Sequence, residues 1–146
     1  MQDTPALKPA AAPGSITSTA ADPLPDLIRR ARAAMATFAI EIDRAGQPRI
    51  DEAVTALAWS IYKPETAKRY AGIGNVPSKI IKNQRKTFGT LRDLLRAKST
   101  GIIEELPEQG LVKWAKPVGV VAAITPSTNP QATPVNKAMM ALKGGN

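Results

Sequence analysis

Residues 118–130 read VGVVAAITPSTNP. The small and branched apolar residues of 118–124 run without a polar break. Two prolines, Pro126 and Pro130, then enclose Ser127, Thr128 and Asn129. A continuous apolar run bounded by turn residues predicts a strand buried on both faces of a parallel sheet. Beyond the turn, Ala132, Val135, Met139 and Leu142 return to helical spacing, and Gly144-Gly145 mark a stop. Strand, loop and helix in that order make half of a βαβ unit. The strand to which such a helix returns is missing, so the expected domain is truncated.

Ligands of open α/β sheets bind beyond the carboxyl ends of strands, which is where this turn falls. Each proline fixes its own φ and restricts the residue before it, so Thr125 and Asn129 are both constrained. The short side chains of Ser127, Thr128 and Asn129 are then held in set directions. An amide side chain or a backbone N–H so held can donate to a developing oxyanion. The same residues suit a plainer role. Asn129 before Pro130, or Thr133 before Pro134, makes a helix N-cap followed by proline in the first turn. Both uses remain open at this point.

Upstream the pattern is helical. Residues 1–25 are rich in Ala, Pro, Ser and Thr and hold Pro5, Pro9, Pro13, Pro23 and Pro25 of the 13 prolines. Such a stretch buries too little apolar surface to offset its ordering entropy, so a disordered tail is expected. Ile28, Ala31, Met35, Phe38 and Ile42 share one face of a first helix, with Asp26 as expected N-cap and Gly46 as stop. Ile50, Val54, Leu57 and Ile61 line a second helix that Pro64 ends. AGIGNVPS, 71–78, reads as a loop, and its Gly72 and Gly74 do not meet the phosphate-loop spacing. Ser78 is the expected cap of a third helix with an apolar line of Ile81, Phe88, Leu91 and Leu95, joined by Gln84. Thr100–Glu105 and Leu111–Lys116, separated by Pro107 and Gly110, predict a β-hairpin.

Composition excludes several chemistries. The 146 residues include no cysteine and no histidine. Disulfides, Cys/His metal sites, a cysteine nucleophile and a Ser-His-Asp triad within these residues are all ruled out. No metal site is expected. No apolar run is long enough to span a bilayer, and no signal-peptide pattern opens the chain. A cytoplasmic protein without membrane contact is expected. The net charge of +8 concentrates on the third helix, where Lys79, Lys82, Arg85, Lys86, Arg92, Arg96 and Lys98 face Asp93 alone. A small basic protein binding nucleic acid or an acidic partner is one reading of that excess. No base-stacking aromatics or nucleic-acid motif accompany it, so nucleic acid is not the expected partner.

The stretch 116–146, KPVGVVAAITPSTNPQATPVNKAMMALKGGN, resembles the aldehyde dehydrogenase superfamily, and in particular its coenzyme A-acylating branch, whose turns are similar to TPSTNP. YKPE at 62–65, GNV at 74–76, KIIKNQRKTFGTLRDLL at 79–95 and GIIEE at 101–105 resemble the subfamily acting on sulfoacetaldehyde. The likeness covers residues 26–146, and the stretch from Tyr62 to Gly72 is shorter than usual in the branch. It implies an α/β fold: N-terminal helices, an oligomerisation hairpin and the first strand–loop–helix of a Rossmann-like cofactor domain, truncated. It also implies a reaction. A cysteine thiolate attacks the aldehyde, hydride passes to NAD or NADP, and coenzyme A takes the acyl group. By position Asn129 is the oxyanion-stabilising residue; an ungapped match places Thr128 there instead. Thr125, Pro126, Ser127 and Thr128 then border the cofactor. The implied partners are a small aldehyde, coenzyme A and further copies of the full-length chain. The catalytic cysteine and general-base glutamate fall beyond Asn146, so the 146 residues alone are expected to be inactive. Other short aldehydes such as acetaldehyde, and a binding module acting through the 100–116 hairpin, are the alternatives.

Overall fold

The computed structural model describes residues 22–69 and 75–146. The tail reading of 1–25 falls almost wholly outside these residues, as do Gly72 and Gly74. In chain order the elements are α1 (Leu24–Ala45), α2 (Gln47–Tyr62), α3 (Pro64–Arg69), α4 (Val76–Arg96), β1 (Gly101–Leu106), β2 (Leu111–Ala115) and α5 (Ala132–Lys143). The described residues are thus mostly helical, with one two-stranded antiparallel sheet among them.

Asp26 does not cap α1. The helix starts two residues earlier, and Asp22 Oδ1 accepts the Leu24 N–H at 3.0 Å. Asp26 lies in the first turn, where its charge suits the helix dipole. Gly46 separates α1 from α2 by a single residue. Its φ of +64° is open to glycine at little cost, and its N–H still donates to Ile42 C=O. The α4 cap also lies upstream of its expected place. Asn75 Oδ1 accepts the Ser78 N–H at 3.1 Å, and Pro77 fits the first turn, where its missing N–H costs nothing.

The core lies where α1, α2, α4 and α5 meet. Ile42, Ile50, Val54, Ala58 and Met139 are buried, with Phe38, Leu57, Leu91, Leu94, Val135 and Leu142 packed against them. The apolar line of α2 is therefore the core line, as its spacing predicts. That of α4 is not. Ile81, Phe88 and Leu95 are exposed, while Asn83 and Thr87 are buried against the other helices. Leu91 and Leu94 join those two on the inward face, so the heptad ridge sits along the rim of the contact. Phe88 instead meets the Tyr62 ring at a centroid distance of 6.3 Å, and Tyr62 stacks on Trp59 at 5.8 Å.

A polar chain ties α2 to α5 and to the connection between α4 and β1. Gln47 Oε1 accepts the Ser99 N–H at 2.9 Å, and Gln47 Nε2 donates to Asp51 Oδ1 at 3.0 Å. Asp51 in turn pairs with Lys143, which is 3% exposed. A lysine so deep in the structure requires a paired anion.

β1 and β2 form the expected hairpin to within one residue at each edge, with Ile102 opposite Trp114 and a bulge between Ile102 and Glu104. Gly110 closes the turn at φ +64° and ψ +27°, a left-handed conformation that suits glycine. The run 118–124 is the main departure. It forms no ladder, and Val118 and Ile124 are each 85% exposed. A strand exists only by exchanging hydrogen bonds with a neighbour. Both strands of the described residues are spent on each other in the hairpin.

Candidate functional site

The turn that follows this run is a short hydrogen-bonded loop. Asn129 N–H donates to Pro126 C=O at 3.3 Å. Thr125, Pro126, Ser127 and Thr128 are exposed and Asn129 is half-buried. The capping alternative meets no such bond. α5 begins at Ala132 with Gln131 at the N-cap position and no side-chain cap, and Thr133 already lies inside the helix. Asn129 and Thr133 are thus not N-caps, and the Asn129 side chain is left to other uses.

Two cavities reach the end residues of the turn, one at Thr125 and one at Pro130. One, of about 530 Å³, lies between α1, the run 118–124 and α5; Met35, Phe38, Val121, Thr125 and Lys137 are among its walls. The other, of about 350 Å³, is lined by Ser60, Ile61 and Thr66 on one side and Pro130, Gln131 and Pro134 on the other. Of the residues singled out by sequence, Thr125 reaches the larger cavity. Ser127, Thr128 and Asn129 line neither.

Two side chains that the sequence does not single out hold this region. Lys137 Nζ, on α5, donates to Ile124 C=O at 2.6 Å, just before the turn. Asn146 Oδ1 accepts the N–H groups of Val118 at 2.6 Å and Gly119 at 2.9 Å, at the other end of the run. Lys143, which pairs with Asp51 on α2, is a third residue of this kind, and for it a signal exists. It sits four residues after Met139, on the buried line of α5, and a cation at a core position implies a buried counter-charge. For Asn146 no comparable signal exists, because its partners are backbone groups 27 and 28 residues away.

The basic excess of α4 is also local in space. Ser78, Ile81, Lys82, Arg85 and Lys86 line an open cleft of about 380 Å³. Among the described residues no three His, Cys, Asp or Glu side chains gather as a metal site, and no helix is long and apolar enough to cross a membrane.

No family model matches the chain. Individual relatives do. Over 147 aligned residues it is 46% identical to the sulfoacetaldehyde dehydrogenase (acylating) of Cupriavidus necator, covering 96% of this chain and 29% of the relative. It is 50% identical over 107 residues to the enzyme of the same name from Bilophila wadsworthia, covering 68% of this chain and 23% of the relative. It is 36% identical over 128 residues to the succinate-semialdehyde dehydrogenase (acetylating) of Clostridium kluyveri, covering 83% and 27%. The chain therefore spans less than a third of the length of each of these relatives. By these likenesses the chain belongs to the acylating branch of the aldehyde dehydrogenase superfamily.

Proposed function

We propose that this chain is the N-terminal part of an oxidoreductase. The enzyme converts sulfoacetaldehyde, coenzyme A and NAD+ or NADP+ to the acyl-coenzyme A and NAD(P)H. The observation that carries the reading is the 46% identity over 96% of the chain to a sulfoacetaldehyde dehydrogenase (acylating). The net charge of +8, concentrated on α4, favours the approach of an anionic aldehyde over acetaldehyde through its long-range field. Self-association belongs to the same reading and is taken from the resemblance, and cytoplasmic location is carried over from the composition and the lack of a signal-peptide pattern.

The turn supplies one wall of the site. Its exposed hydroxyls at Thr125, Ser127 and Thr128, beside the Pro126 ring, fit a polar surface against which NAD(P) can rest. That group accepts the hydride when bound. Asn129, or Thr128, donates to the oxygen of the aldehyde as its carbon becomes tetrahedral. The attacking thiolate comes from sequence outside these 146 residues, which contain no cysteine. The 146 residues alone therefore form no acyl-coenzyme A.

The test is turnover in a longer protein that carries this sequence together with a cysteine. Coenzyme A-dependent NAD(P)H formation from sulfoacetaldehyde is expected there, and none from the 146-residue chain. Alanine at the oxyanion donor lowers kcat by about 10²–10³; comparing Asn129→Ala with Thr128→Ala identifies which residue it is. Strong preference for acetaldehyde, or turnover by the short chain, overturns the reading.

A further inference from the structure

We infer that Asn146 is a positioning residue: its side chain sets the path of the run 118–124 and so the direction in which the Thr125–Pro130 turn faces. Three observations carry this. First, α5 ends in a defined motif. Gly145 N–H donates to Leu142 C=O at 2.9 Å and Asn146 N–H to Ala141 C=O at 3.0 Å, with Gly145 at φ +73°. That is a Schellman ending, and it fixes the backbone from which the Asn146 side chain departs.

Second, both ends of the side-chain amide are engaged. Two donors, Val118 N–H and Gly119 N–H, converge on one atom, and Nδ2 donates to Ala141 C=O at 3.3 Å. Two converging donors require an acceptor, so the converging atom is the amide oxygen. One side chain thus clamps the start of the run to the end of the helix that follows the turn. Third, the clamp is supported at both ends. A Cβ on Gly145 would stand 3.2 Å from Pro117 Cγ, so the backbone there already packs against the residue preceding the run. At the far end Lys137 Nζ holds Ile124 C=O at 2.6 Å.

The run lacks a ladder to define its course, and Val118 is among its most exposed residues. Its course is therefore set by Lys137, on α5, and by Asn146, three residues past the end of that helix. The run is held at both ends, and the turn continues from its held end at Ile124. The importance of the turn's direction rests on the oxyanion reading above. The tether itself is independent of that reading and is tested without turnover.

The experiment is amide hydrogen exchange by NMR on the ¹⁵N-labelled 146-residue chain. In the unsubstituted chain Val118 and Gly119 are expected to exchange at least tenfold more slowly than Val120–Ile124. Asn146→Ala removes that difference and shifts the Thr128 and Asn129 amide signals, while the α2 amide signals stay in place. Asn146→Asp keeps the acceptor oxygen and restores both the slow exchange and the turn signals. Should the alanine variant disturb α2, the aspartate variant and Lys137→Met still decide, the latter by moving the turn signals without changing exchange at Val118. Unchanged exchange in Asn146→Ala, or equal loss in Asn146→Asp, overturns the inference. Either result leaves the proposed reaction standing, and a failure of that reaction leaves the tether standing.

Discussion

Ile50 and Ile124 are the same residue type, and the run holding Ile124 is the more apolar segment, yet Ile50 is 1% exposed and Ile124 85%. The difference lies in what each segment needs from its surroundings. Ile50 belongs to α2, whose backbone groups bond within the helix. Only its apolar line has to be covered, and α1, α4 and α5 are there to cover it. Ile124 belongs to a run that reads as a strand, and a strand borrows its hydrogen bonds from neighbours. The hairpin strands are paired with each other, so the run is held instead by Asn146 and Lys137. A helical bundle can thus form from a contiguous stretch of chain in a way that a parallel sheet cannot.

The comparison breaks most visibly at the buried charge pair. Asp51→Ala leaves Lys143, 3% exposed, without its counter-charge and removes one of the two bonds made by Gln47 Nε2. A loss of about 3–5 kcal/mol in urea unfolding is expected, because the charge stays buried when its partner goes. Replacing both residues, Asp51→Leu with Lys143→Met, recovers most of that loss, since no charge is then left inside. A small effect of Asp51→Ala alone would mean that Lys143 reaches solvent, and that this end of α5 is not part of the rigid region.

The next effect belongs to the apolar core. Met139 is fully buried where α5 meets α2. Met139→Ala is expected to cost about 2–5 kcal/mol, from lost transfer energy and the cavity left behind. The readout is the urea midpoint at an unchanged m-value. Much smaller loss would show that α5 is loosely packed, and would weaken its part in holding the turn.

These same residues show how far the sequence is legible. The i, i+3, i+4 spacing of Ile50, Val54 and Ile61 gives the buried face of α2 directly, since it records a need the helix meets with its immediate neighbours. For α4 the spacing misleads. Ile81, Phe88 and Leu95 recur every seventh residue, yet the inward face carries Asn83 and Thr87. Neither Asn83 amide atom, nor Thr87 Oγ1, has a hydrogen-bond partner among the described residues. A rule that puts apolar residues inside cannot find such a face. The turn was legible as a place but not as a support. Prolines and hydroxyls at 125–130 mark it, whereas the bonds from Asn146 and Lys137 span distances along the chain that no local pattern encodes.

The smallest effect is the most discriminating. Ile124→Ala in the 146-residue chain should change stability by less than about 0.5 kcal/mol, as for other exposed positions. The side chain is 85% exposed, and the Lys137 bond goes to its carbonyl, which the substitution keeps. In a longer protein whose sheet encloses the run, the same substitution removes a buried side chain and should cost about 2–5 kcal/mol. The contrast between the two measurements reports directly on whether 118–124 becomes a buried strand. Equal small losses would mean that the run stays at the surface and that its apolar content serves another purpose. Equal large losses would mean that the short chain already buries Ile124 in solution, and the opposition between Ile50 and Ile124 would then fall.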